Sequence, residues 1–218
     1  MKLILTILVV FALLLFNEAW SRRQRPHSLR HLHGEFNRKF AHITIGSFVA
    51  FWPYYLSSND IKLLSAAFLV VVAVSKYFNI FQAIHSVQRP TLGEFWFALV
   101  VGGLSFIIPH HPHIYTAAIL EMGLADGLAA VVGTHYGNRH RYSVFGSPKT
   151  IIGTLTFFAV SCAILTGYAF MSTGVLSLSA LLLVATSATI LENISVYGLD
   201  NLVVPLFVAA ALLALKVG

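Results

Sequence analysis

An all-α bundle of about eight transmembrane helices is the fold class this sequence predicts, and three observations predict it. Of its 218 residues, 57% are hydrophobic and only 10% are charged, a balance that a water-soluble domain of this length does not show. Several apolar runs reach or approach the roughly 20 residues of helix that cross a bilayer. The basic residues behind the formal charge of +6 are gathered between those runs, which is how topology-determining charge is arranged in membrane proteins. In a soluble chain this excess would suggest nucleic acid; here topology and anionic phosphate account for it, and no nucleic-acid partner is expected. The one cysteine, Cys162, lies in an apolar run, so the chain has neither a disulfide framework nor a thiol metal site.

Taken in order, the runs predict spans near 2–20, 38–56, 61–81, 94–109, 113–135, 151–171, 175–192 and 199–217. The first, "MKLILTILVVFALLLFNEAW", resembles a signal peptide, but no small-x-small cleavage site follows. The "SRRQR" that does follow reads as a stop signal for a retained helix. The fourth run has 16 residues, about 24 Å of helix, and is expected to tilt or to cross only in part. Connections are tight apart from 21–37, 82–93 and 136–150, and no internal repeat stands out. Residues 1–218 are therefore read as one membrane domain, with 1–20 as a peripheral first helix.

Charge orients the bundle as an integral, multi-pass protein with its N-terminus outside. Arg22, Arg23, Arg25, Arg30, Arg38, Lys39, Lys76, Arg89, Arg139, Arg141 and Lys149 then fall on the cytoplasmic side, against Lys2, Lys62 and Lys216 opposite. That is the positive-inside distribution. It turns the charged, glycine-containing loops towards the compartment that holds nucleotides.

Five stretches carry residues that a plain anchor does not need. In "GEFNRKFAHITIG", Glu35, Arg38, His42 and Gly46 follow helical spacing, with Lys39 one step around. The stretch reads either as a basic anchor with a Glu35–Lys39 pair or as a phosphate clamp, Arg offering a fork of donors and Lys a point charge. In "TLGEFWF", Glu94 opens a helix, where an acid suits the positive helix end; the other reading aims its carboxylate at a metal or a substrate hydroxyl.

The fifth run holds Glu121 and Asp126, and acids inside a membrane are functional candidates by default. Their spacing turns them about 140° apart on a regular helix, so they are not a paired dyad. Asp126, Ala130, Gly133 and Gly137 share a small-residue face on which another backbone can approach closely. Beyond it, Ser147, Pro148, Lys149 and Thr150 lead into the sixth run, whose first N–H groups are expected to be free to meet an anion. No P-loop is present, because Ser143 and Pro148 occupy its two glycine positions, and there is no G-x-G-x-x-G. Finally, "LENISVYGLDNLVVP" brings Glu192, Asn193, Asp200 and Asn201 to one mouth of the last two spans. Oxygen donors without cysteine suit Mg²⁺, which takes few protein ligands and leaves room for phosphate oxygens.

These stretches, with "ADGLAAVVGTHYG" and "GSPKTIIGT", run in order from Gly34 to Pro205. In that order they resemble the dolichol kinase and phytol kinase family of CTP-dependent lipid kinases, which includes CTP-dependent diacylglycerol kinases; residues 34–205 form the family core. The resemblance implies transfer of the γ-phosphate of CTP to the hydroxyl of a polyprenol, phytol or diacylglycerol at the cytoplasmic face. It implies catalytic roles for Asp126, Lys149, Arg38 and Glu94, Asp126 or Glu94 taking the alcohol proton. Nucleotide contacts fall to Lys39, His42, Ser147, Lys149, Thr150, Asn193 and Asn201, and Mg²⁺ to Asp126, Glu192 and Asp200. The expected partners are the lipid alcohol and CTP, with a homo-oligomer left open. Asp126→Asn is expected to lower turnover by roughly a hundredfold or more without loss of thermal stability.

Two other enzyme classes and a transporter stand beside this reading. The family is distantly similar to phosphatidate cytidylyltransferases, whose fuller "KRxxKD" and "HGG" patterns are missing here. A CDP-alcohol phosphotransferase needs D-G-x-x-A-R, and Val131 replaces the Arg. A transporter also buries acids and breaks helices, but here the polar groups gather at one mouth.

Overall fold

The computed structural model describes residues 1–23, 30–78, 92–172 and 176–217. Arg25, Arg89 and the stretch 82–91, together with the side chains of Arg22, Arg30, Glu35, Lys76 and Lys216, lie outside the described residues. The helices are α1 (Lys2–Arg23), α2 (Arg30–Ala50), α3 (Ser58–Phe78), α4 (Gly93–Ile107), α5 (Pro112–Tyr136), α6 (Ile151–Met171), α7 (Leu178–Ile194) and α8 (Asp200–Val217). The all-α class holds, with one addition and one correction.

The addition lies in 136–150, expected to be a loop. It contains a 3₁₀ turn, Gly137–Arg139, and a hairpin of β1 (Arg141–Val144) with antiparallel β2 (Ser147–Thr150), in which Tyr142 pairs with Lys149. Phe145 and Gly146, with φ of 47° and 78°, make the turn between the strands. Left-handed backbone at two successive residues matches the twist of a tight hairpin.

The correction concerns the spans. Among the described residues, four helical stretches are long and apolar enough to cross a membrane: Lys2–Ser21, Ser58–Ser75, Pro112–Tyr136 and Ile151–Met171. Gly93–Ile107, Leu178–Ile194 and Asp200–Leu215 are apolar but shorter. The reason is chemical: α4, α7 and α8 each end or begin at the polar groups of the site, which take up residues that would otherwise extend an apolar span. Helix α2 has the length, but its middle turns carry Arg38, Lys39 and His42.

Local chemistry sets the boundaries. Pro53 follows the end of α2 within a 3₁₀ turn, Trp52–Tyr54, because proline cannot donate to a continuing helix. Ser57 and Asp60 cap α3 reciprocally: the Asp60 N–H donates to Ser57 Oγ and the Ser57 N–H to Asp60 Oδ2, both at 3.2 Å. Thr150 caps α6 and Ser177 caps α7 through their hydroxyl oxygens.

Helix α5 is the centre of the bundle. It is 67% buried where the other three long apolar stretches are 22–28% buried, and α2, α6 and α8 pack around it. Its middle is a π turn, Glu121–Ala125, closed by the Asp126 N–H reaching back to the Glu121 carbonyl. The chain pays out one extra residue there, so the regular-helix angle between Glu121 and Asp126 does not apply. Helix α1 lies outermost against α2, held by Asn17 donating to Thr44 Oγ1 (3.0 Å) and Asn37 to Ser21 Oγ (3.1 Å).

Candidate functional site

Glycines decide how close the site-bearing elements come. A Cβ on Gly46 of α2 would stand 2.9 Å from the Gly123 Cα in the π turn, and one on Gly127 would meet Ile43 Cγ1 at 2.3 Å. Neither glycine has room for a Cβ, so α2 lies almost on the backbone of α5 where Gly46 meets Gly123. Nearly two turns further, a Cβ on Gly133 would be 2.6 Å from Thr150 Oγ1 and 3.1 Å from Gly153 Cα. The small face of α5 therefore seats the base of the hairpin and the start of α6. At the α7–α8 turn, Tyr197 and Gly198 have φ of 57° and 83°. A Cβ on Gly198 would meet the Gly93 nitrogen at 2.7 Å, so that turn presses on the start of α4.

These approaches bring charged groups from five elements together. Asp126, Glu192 and Asp200 each present a carboxylate oxygen within 4.8 Å of the others. Lys39 Nζ donates to Asp126 Oδ2 at 2.5 Å, with both side chains 7% exposed. Lys149 Nζ donates to Glu192 Oε1 at 2.5 Å and to the Glu192 carbonyl at 3.0 Å. Burial works against the Lys149 ammonium, but the Glu192 carboxylate outweighs it and holds the lysine pKa above its ordinary value. Lysines this well enclosed need such partners, since an unpaired buried charge is costly.

The two amides are engaged elsewhere. His42 donates through Nε2 to Asn201 Oδ1 (3.1 Å), and Asn201 Nδ2 donates to the Gly93 carbonyl (3.1 Å). One buried asparagine thus ties α2, α8 and α4 together. Asn193 Oδ1 accepts from Thr154 (3.1 Å) and from Tyr142 of β1. That contact anchors the hairpin to α7. Neither Tyr142 nor Thr154 stood out in the sequence, because a hydroxyl on a short strand has no spacing signature.

Several expectations change in this light. Lys39 pairs with Asp126; the expected partner, the Glu35 side chain, is outside the described residues. Two of the first N–H groups of α6, expected to be free for an anion, have partners: Ile151 donates to the His140 carbonyl (3.1 Å) and Gly153 to Thr150 Oγ1 (3.0 Å). Ser147, Lys149 and Thr150 all lie on β2, and Thr150 at its end is also the N-cap of α6. Glu94 stands apart from the three carboxylates, in a groove with Arg38 and His42. Glu121 is fully buried and accepts from Ser161 Oγ at 2.8 Å, one π turn from Asp126.

Fold and site define a helical membrane protein with a charged centre of three carboxylates and two lysines enclosed among its helices. Over 178 residues the chain is 36% identical to a phytol kinase of Synechocystis sp. (strain ATCC 27184 / PCC 6803 / Kazusa), an overlap of 79% of this chain and 76% of that protein. No family model and no solved structure matches it. The chain belongs to the polyprenol/phytol kinase family and is a kinase of the membrane.

Proposed function

We propose that the chain transfers the γ-phosphate of CTP to the hydroxyl of a membrane lipid alcohol, at the cytoplasmic face, with Mg²⁺ as the metal. The observation that carries the reading is the convergence of Asp126, Glu192 and Asp200 within 4.8 Å, with Lys39 and Lys149 against two of them. The phytol kinase named above supports a lipid or isoprenoid alcohol as the acceptor. Oxygen-only donors so close together fit Mg²⁺, which keeps part of its coordination shell for phosphate oxygens. Bound there, the metal would neutralise charge on the transferring phosphate.

The chain's own residues do the rest by position and charge, which is most of what phosphoryl transfer requires. Lys39 and Lys149 already make charge-assisted hydrogen bonds to carboxylates; phosphate oxygens within reach compete for the same ammonium groups. Arg38, one residue from Lys39, adds a guanidinium fork. The alcohol oxygen bonds to the γ-phosphorus as the bond from that phosphorus to the β–γ bridging oxygen breaks, and CDP leaves with that electron pair. The alcohol proton passes to a carboxylate, Asp126 in the centre or Glu94 in the groove with Arg38 and His42. Packing among apolar helices keeps water from intercepting the phosphate.

The test is phosphorylation of a lipid alcohol by purified protein in nanodiscs, with CTP or ATP and with Mg²⁺ or EDTA, read by mass spectrometry. CTP with Mg²⁺ is expected to give the phosphorylated alcohol, and EDTA to stop it. Equal or faster reaction with ATP would overturn the choice of donor.

A further inference from the structure

The hairpin grips the end of α7 twice. Tyr142 and Lys149 are partners across its two strands, and residues directly opposite in an antiparallel pair project from the same face. That face is the partly buried one; on the other, Arg141, Ser143 and Pro148 are exposed. On α7 the two side chains meet consecutive residues. Lys149 Nζ donates to the Glu192 carboxylate and carbonyl, the latter in the last turn of the helix, where carbonyls lack helical partners. The Tyr142 hydroxyl donates to Asn193 Oδ1. Thr154 of α6 donates to the same oxygen at 3.1 Å, while Asn193 Nδ2 donates to the Thr189 carbonyl one turn back at 2.9 Å. The amide is thereby fixed, with its oxygen turned towards the hairpin.

The two grips differ in what nucleotide does to them. In the proposed reaction a phosphate oxygen draws the Lys149 ammonium from Glu192, so that contact opens as CTP enters. Tyr142 meets an uncharged amide, a contact that the charge of a phosphate does not draw open. The tip of the hairpin offers no substitute: Phe145 is 81% exposed, and a Cβ on Gly146 would have nothing within 4 Å. At the base, Thr150 is seated against Gly133 and Gly137. Between that base and the open tip, the Tyr142 hydroxyl is a contact that outlasts the ion pair.

We propose that Tyr142 is a positioning residue for phosphoryl transfer: its hydroxyl holds the hairpin on Asn193, so that Lys149 stays over the carboxylates after exchanging Glu192 for phosphate. This rests on the kinase reading above. Tyr142 acts through Lys149. An ammonium on a flexible four-carbon stem has many rotamers, and fixing the strand that carries it restricts them to those that meet the transferring group.

Tyr142→Phe keeps the ring and removes the hydroxyl; Asn193→Leu removes the acceptor from the other side. The assay uses the full chain in nanodiscs with CTP, Mg²⁺ and whichever of phytol and dioleoylglycerol the wild type phosphorylates. Each variant is expected to lower kcat/KM for CTP about tenfold, the scale of one hydrogen bond, with KM for the alcohol unchanged. The double variant should be no worse than the poorer single, because both break one contact. A nitroxide at Ser143→Cys in a Cys162→Ala background reads the hairpin itself by EPR. In Tyr142→Phe and in Asn193→Leu its line should match that of the parent without nucleotide, when Lys149 still holds Glu192, and sharpen when CTP is added. With Tyr142 and Asn193 both present it should stay broad throughout. If one variant fails to fold, the other carries the same kinetic and EPR expectations. Wild-type kinetics, additive losses in the double variant, a raised KM for the alcohol, or a line that CTP does not sharpen overturns the positioning role. A wild type that phosphorylates neither alcohol with CTP overturns the kinase reading and the positioning role with it.

Discussion

Asp126→Asn separates the structural work of the charged centre from its chemical work, provided it is read against a change at Lys39. From sequence, an amide at position 126 is nearly isosteric and should be tolerated by the fold. The structure revises that. Lys39 Nζ lies 2.5 Å from Asp126 Oδ2, and both side chains are 7% exposed, so the amide leaves an ammonium buried without its carboxylate. Removing one partner of a buried pair costs about 3–5 kcal/mol, whereas replacing both by apolar groups of similar volume is often neutral or stabilising. Asp126→Asn and Lys39→Met are each expected to lower stability by about 3 kcal/mol, and the double variant by about 1 or less, a coupling of about 5 kcal/mol or more. For a domain of this size that is a drop in Tm of roughly 6–12 °C for each single variant, largely recovered in the double. Turnover should not recover. A metal-binding or proton-accepting carboxylate lost is worth roughly a hundredfold or more, and the double variant still lacks it. The assay is thermal unfolding of purified protein without nucleotide beside lipid phosphorylation with CTP. Additive Tm losses would refute the pairing argument, and turnover regained in the double variant would refute a chemical role for Asp126.

Three further expectations follow from the same geometry. Lys149→Ala should raise KM for CTP and lower turnover, because it removes an ammonium that meets Glu192 twice; wild-type kinetics would reduce the lysine to an anchor for the hairpin. Gly123→Ala places a methyl group 3.0 Å from the Gly46 Cα, backbone that cannot step aside, so it should cost about 1–3 kcal/mol in unfolding experiments. It should also depress turnover by moving Lys39 off Asp126, and a variant as stable and active as wild type would refute the close crossing. For topology, cysteines at Ser143 and His111 in a Cys162→Ala background should label from opposite faces of the membrane, and labelling from one face would refute the proposed orientation.

Much about this chain was local, and therefore legible without its fold. The apolar runs became α1 to α8, displaced by a few residues where Pro53 or the Ser57–Asp60 cap decides the end, because hydropathy and capping act over one or two turns. The acids and bases that form the centre were also visible as charges too costly for a plain anchor, in an order that resembled a known family. Pairing was another matter. Lys39 had a helical neighbour in Glu35, yet it meets Asp126, 87 positions away, and Lys149 meets Glu192, 43 positions away. Asn193 and Asn201 read as ligands by composition but are used as clasps between elements. The hairpin, the π turn and the shortness of α7 and α8 were likewise unannounced, whereas that of α4 was expected. Hydropathy says which segments avoid water; which polar groups then share the space between them depends on how closely the backbones can approach. Here that is settled where Gly46 meets Gly123 and Gly133 meets Thr150, contacts that exist only once the helices are packed.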